Sequence, residues 1–145
     1  MPIRHALIPC LRYADAPAAI DFLRRAFGFE RQAVYTDAQD ASVVHHAQLL
    51  LHGQMLMLGS DRPGEVRERY RWKTPQQAGG VTQCIYAVIA DPDAHCARAR
   101  AAGAEILTEP HDNEGYPGRS YDARDPGGHV WNFGSYDPFD EAATP

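Results

Sequence analysis

The stretch RYADAPAAIDFLRRAFGFE, residues 12–30, holds the end of a strand, a complete helix and the start of the next strand. Asp15 is a helix N-cap residue, and Pro17 follows in the first turn, where a missing backbone N–H costs no hydrogen bond. Ala19, Ile20, Leu23 and Phe27 recur at helical spacing on one face, and Gly28 supplies the stop. Upstream, IRHALIPCLRY at residues 3–13 reads as a strand. Downstream come three more strands, at about 31–37, 43–51 and 54–60, the last two joined by a tight turn at His52-Gly53. The unit is βαβββ.

The same order is written again further along. A strand at about 81–90 leads into a helix opened by Asp91-Pro92 and closed by Gly103, followed by strands near 105–109, 118–124 and 129–135. Pro126-Gly127-Gly128 makes the last turn. Asp91 follows Asp15 by 76 positions (91 − 15), and the hairpin glycine Gly128 follows Gly53 by 75 (128 − 53). Two offsets that nearly agree point to a duplication. The expected fold class is α+β, with a module at 1–60, a connector at 61–80, a second module at 81–136 and a loose tail at 137–145. The connector, SDRPGEVRERYRWKTPQQAGG with its first serine, is polar and proline-bearing, as suits a crossover beside a binding site.

Composition narrows the function classes. A chain of 145 residues, 44% hydrophobic, is long enough for one compact domain with its own core. A formal charge of -5 and a sequence pI near 5.7 argue against nucleic acid or an anionic membrane as partner, because no net positive field draws phosphates in. Cys10, Cys84 and Cys96 lack metal-like spacing, and neither a charged-then-apolar leader nor a membrane-length apolar run is evident. A reduced cytoplasm is the expected compartment.

Each sheet must bury one face under its helix and leave the other concave, so one anchor per strand assigns the rest by alternation. With Leu7, Leu11 and Tyr13 on the helix side, Ala6, Ile8, Cys10 and Arg12 face the cavity. The offset of 76 carries these to Thr82, Cys84, Tyr86 and Val88. Met55 and Met57 face inward on the fourth strand, with His46, Gln48 and Leu50 across the turn. The offset of 75 then assigns Arg119, Tyr121, Val130 and Asn132 to the second cavity wall and leaves Trp131 and Phe133 to the core.

The segments RYADAPAAIDFLRRAFGFE, HAQLLLHGQMLMLGS, ADPDAHCARARAAGAEI and YDARDPGGHVWNFGSY, in that order, resemble the corresponding pieces of vicinal oxygen chelate proteins, the glyoxalase, bleomycin resistance and dioxygenase group. The resemblance covers nearly the whole chain. It implies a cupped, curved mixed sheet built from the two modules, commonly in a homodimer. Metal-dependent relatives place a ligand on the first and fourth strand of each module, positions that carry over to Ile8, Met57, Cys84 and Asn132. An alkyl group, a thioether, a thiol and a neutral amide make a poor set for a divalent ion that prefers several oxygen and nitrogen donors. No bound metal or other cofactor is therefore expected. A one-residue slip on the fifth strand would turn Gln83 inward, which still rebuilds no site.

Other residues offer weaker chemistry. His46 on the cavity face has the pKa range of a general base, but serves equally as a pocket wall. Cys84 lacks a neighbour that would stabilise a thiolate. Arg119 and Tyr121 would orient an anionic or hydroxylated ligand, or Arg119 pairs with an acid such as Asp122 or Glu114. Tyr70 and Trp72, bracketed by Arg67, Arg69, Arg71 and Lys73, would stack on a planar ligand or form a dimer contact.

Two functions from different classes follow. One is a homodimer that binds a small hydrophobic or aromatic molecule in a metal-free cavity lined by Ile8, Cys10, His46, Gln48, Met55, Met57, Tyr70, Trp72, Cys84, Tyr86, Arg119, Tyr121 and Asn132, sequestering an antibiotic or toxic metabolite. The other is an enzyme, a lyase, isomerase or extradiol-type dioxygenase, using a metal or moving protons with His46, Tyr121 or Arg119. A purely structural dimer module with a filled cavity is a third possibility.

Overall fold

The computed structural model describes residues 1–140; of the expected tail, 141–145 lie outside the described residues. The first module runs β1 (Cys10–Tyr13), α1 (Ala16–Phe27), β2 (Glu30–Thr36), β3 (Val44–Leu51) and β4 (Gln54–Ser60). Two short connector helices follow, α2 (Glu65–Tyr70) and α3 (Pro75–Ala78). The second module is β5 (Cys84–Val88), α4 (Pro92–Ala101), β6 (Glu105–Asp112), β7 (Arg119–Arg124) and β8 (Val130–Gly134). The sheets have orders β1-β4-β3-β2 and β5-β8-β7-β6, so the duplication is repeated strand for strand. In each sheet the first strand lies parallel to the fourth and the remaining pairs are antiparallel.

The helix signals act as expected. Asp15 and Asp91 accept hydrogen bonds from the backbone N–H groups of Ala18 and Ala94, both at 3.1 Å. Gly28 adopts φ 85°, and its N–H closes the helix on the Leu23 carbonyl. The turn between β3 and β4 places both His52 and Gly53 at positive φ, 49° and 77°, as a two-residue hairpin of this hand requires.

Helix α1 buries Ala19, Ile20, Leu23 and Phe27. Phe27 packs against Trp131 and Phe133 with ring centroids 5.4 and 4.7 Å apart, so one aromatic core joins the modules. Arg98 of α4 donates to the carbonyls of Arg24 and Arg25 at 3.0 and 2.9 Å, placing a cation on the negative end of α1. His95 Nε2 lies 2.9 Å from the Phe27 carbonyl, which can only accept, so Nε2 carries the proton and Nδ1 accepts from the Tyr121 hydroxyl. Burial depresses the pKa of His95, consistent with this neutral tautomer.

Two expectations change. The strand expected from residue 3 begins only at Cys10, and Leu7, expected on the helix, is fully exposed at 101%. Pairing with β4 starts where the Pro9 carbonyl accepts the Met57 N–H at 3.0 Å, and residues 1–9 belong to no strand. The connector contains two short helices, α2 and α3. Thr74 and Gln77 cap α3 reciprocally, a T-x-x-Q signature visible in the sequence.

Candidate functional site: two half-cups and a connector cleft

The concave face of the first sheet is built by alternation from the buried residues opposite. Leu11, Tyr13, Ala47, Leu49, Leu56 and Leu58 are buried beneath α1, which turns Cys10, Met57 and Gln48 outward as one row, with Met55 beside Leu50. His46 lies on the same face, its ring stacked on Tyr35 at 6.1 Å. Arg12 lies across Gly59, where any Cβ would come within 3.0 Å of its guanidinium, donates to the Ser60 carbonyl at 3.1 Å and sits 4.8 Å from the Trp72 ring.

In the second sheet the matching row is Tyr86, Asn132, Asp122 and Thr108. Asn132 donates to the Asp122 carboxylate, and the Tyr86 hydroxyl donates to the Tyr136 carbonyl at 2.6 Å. Asp122, expected as an ion-pair partner, thus lies in the same row as Asn132.

Arg119 and Tyr121 do not face the cavity. Tyr121 is wholly buried, stacked on Phe133 and bonded to His95; Arg119 pairs with Asp93 of α4 and with Asp112, each at 2.9 Å. Of the two roles expected for Arg119, the structure shows the ion pair, with Asp93 and Asp112 in place of Asp122 or Glu114. The cause of the reversed face is hairpin length. Two residues join β3 to β4, whereas Asp125–His129 join β7 to β8. Asn132 follows Met57 by 75 (132 − 57), but the residue opposite it, Asp122, follows Gln48 by only 74 (122 − 48). One residue of slip turns every side chain of β7 to the other face.

The first-strand positions are also corrected. Cys10, not Ile8, is beside Met57, and Tyr86, not Cys84, is beside Asn132. Cys84 pairs with Val130 and is exposed; Ile8 precedes β1. A two-residue displacement preserves the face, so alternation could not reveal it. The rows therefore offer a thiol, a thioether and an amide in one module, and a phenol, an amide and a carboxylate in the other. Among the described residues no three His, Cys, Asp or Glu side chains are placed to share an ion. This donor set does not fit a resident divalent metal.

Two clefts draw on these faces. One, of about 380 Å³, brings Met55 together with Tyr86, Leu7, Pro9 and Val88 along the seam between modules. The other, of about 490 Å³, brings Cys10 together with Tyr70 and Trp72 of the connector, whose rings stack at 5.6 Å and 12°. His46, Gln48, Met57 and Asn132 line neither cleft. Sequence reading missed Arg71, Lys73 and His129 as walls of the second cleft, since contacts between the connector and β1 or β5 leave no local periodicity.

Two βαβββ modules with the same strand order define the class of fold, and the comparisons agree. The chain belongs to the Glyoxalase/Bleomycin resistance protein/Dioxygenase superfamily, which it matches over residues 3–133. Uncharacterized protein Mb0911c of Mycobacterium bovis is 33% identical over 91% of this chain and 84% of its own length. The crystal structure of TioX from Micromonospora sp. ML1 is similar with a TM-score of 0.66, 28% identity, and coverage of 90% of this chain and 98% of that one. FosX, a fosfomycin resistance protein of Listeria monocytogenes, shares the fold with a TM-score of 0.64 at 17% identity, covering 99% of this chain and 100% of its own.

Proposed function

We propose that this protein binds a small hydrophobic or aromatic molecule without a metal, sequestering an antibiotic or toxic metabolite in the cytoplasm as a homodimer. The observation that carries the reading is the pairing of a row unsuited to a cation with an apolar seam cleft lined by Met55, Leu56, Tyr86 and Val88. Thioether and aromatic side chains adapt to varied apolar shapes, which suits retention rather than chemistry.

The dimer is supported by what the single chain leaves exposed. β1 and β5 are each paired on one side only, and Leu7, Val81 and Val88 stand exposed along or beside them. Unpaired apolar edges are what a second copy would cover. Light scattering should give twice the 16.1 kDa chain mass, and Leu7→Lys should shift the population toward monomer. A monomeric wild type would remove this part of the proposal.

Ligand binding is tested with protein purified without chelator. Neutral polycyclic aromatics should bind saturably, unaffected by EDTA, and Met55→Ala should weaken binding several-fold. Stoichiometric nickel, zinc, iron or manganese in the purified protein, with activity lost on its removal, would replace this reading by the enzymatic one.

A further inference from the structure

We infer that the connector cleft is a subsite for an acidic group, and that the preferred ligand is an aromatic carboxylate. The inference rests on the small-molecule binding proposed above and places the acidic group in this second cleft, which shares no lining residue with the seam cleft. The net charge of -5 would by itself favour cations, but charge is unevenly placed. Between positions 61 and 73 the connector carries Arg62, Arg67, Arg69, Arg71 and Lys73. Arg67 is neutralised by Asp61 at 3.5 Å and Arg69 by Glu65. Arg71 and Lys73 have no carboxylate partner among the described residues, and both line the cleft of about 490 Å³.

That cleft has no Asp or Glu in its wall. Thr82 and Gln83 add a hydroxyl and an amide on the β5 side, while Tyr70 and Trp72 form the aromatic side. Tyr70 is 65% exposed, leaving ring surface on which a planar molecule can lie. Arg71 is held at φ 53° where it ends α2, its N–H bonded back to the last helical turn. Two unpaired cations beside exposed ring area complement a flat molecule carrying one negative charge. The acidic surface elsewhere disfavours polyanions, so the site selects small acids over nucleic acid.

The test compares 2-naphthoate with its uncharged isostere 2-naphthamide by quenching of tryptophan fluorescence, since Trp72 lines the cleft while Trp131 is buried. Naphthoate should bind at least tenfold more tightly at low salt, and the preference should shrink as sodium chloride rises. Lys73→Glu should abolish or reverse it. Arg71→Asn, chosen because asparagine tolerates positive φ, should reduce it several-fold, and Arg69→Gln should leave it unchanged. Equal binding of both compounds would overturn the inference and leave the binding function standing. Binding of neither would remove both, and an unchanged preference in Lys73→Glu would show that the acid is held elsewhere.

Discussion

The hydroxyl of Tyr13 in the first module donates to the carboxylate of Asp125 in the second at 2.6 Å, across 112 positions of sequence. The same carboxylate accepts from Trp131 Nε1 and from the His129 N–H, both at 3.0 Å, and Asp125 is only 3% exposed. His129 Nε2 in turn donates to the Arg12 carbonyl at 3.0 Å. The β7–β8 turn is thus bolted to the end of β1. Asp125→Ala strands three donors, two of them buried, and should lower stability by about 2–4 kcal/mol, whereas Tyr13→Phe removes one of three donors and should cost about 1 kcal/mol. Urea unfolding monitored by circular dichroism measures both, and equal losses would contradict this account.

Gly127 sits against this bond. A Cβ there would come 2.4 Å from the Tyr13 ring, inside any permitted contact. Gly127→Ala should therefore destabilise by about 1–3 kcal/mol, the usual range for overpacking, and combining it with Tyr13→Ala should remove most of that penalty. Additive losses in the double variant would show that the ring is not what the methyl group meets.

His95 gives the fold a pH dependence whose sign can be worked out. Its folded pKa lies below the ordinary value of 6.5, so the folded state prefers the neutral ring. Its contribution is complete above the unfolded pKa and declines as pH falls through that value toward the folded one. The thermal midpoint should drop as pH is lowered from 7 to 5, and His95→Gln should flatten that slope. A wild-type midpoint that rises over this interval would reverse the assignment.

Tyr13 and Tyr121 set the opposite limit. Burial raises the pKa of both phenols, with the Asp125 charge adding to the effect at Tyr13. Each stabilises the protonated fold fully below the unfolded value near 10 and ceases to do so as pH rises toward the folded value. Stability should decline above about pH 10, and Tyr121→Phe should lessen the decline. The rise of phenolate absorbance on titration should follow unfolding; ionisation of all seven tyrosines in a folded protein would contradict it.

Arg119 offers a test of which face of β7 meets the ligand. Its guanidinium is engaged by Asp93 and Asp112 on the helix side, so Arg119→Gln should leave the affinity for neutral aromatics unchanged. A large loss of affinity with the fold intact would return Arg119 to the cavity.

The sequence by itself determined the order of elements, both helix starts, the hairpin at His52-Gly53 and the placing of Cys10, Met55, Met57 and Gln48 on the sheet face away from the helix-covered core, because capping and period-two alternation are local properties of the chain. The tertiary structure alone decided three other matters. It set the level of each strand against its neighbour, which puts Cys10 and Tyr86 where Ile8 and Cys84 were expected, since a shift by two leaves alternation intact. It set the face of β7, through a hairpin whose length differs from that of its counterpart and so exchanges Tyr121 for Asp122. And it gathered Cys10, Tyr70, Trp72, Arg71 and Lys73 around one cleft, because contacts between a connector and distant strands depend on how the two sheets pack and have no period a sequence can display.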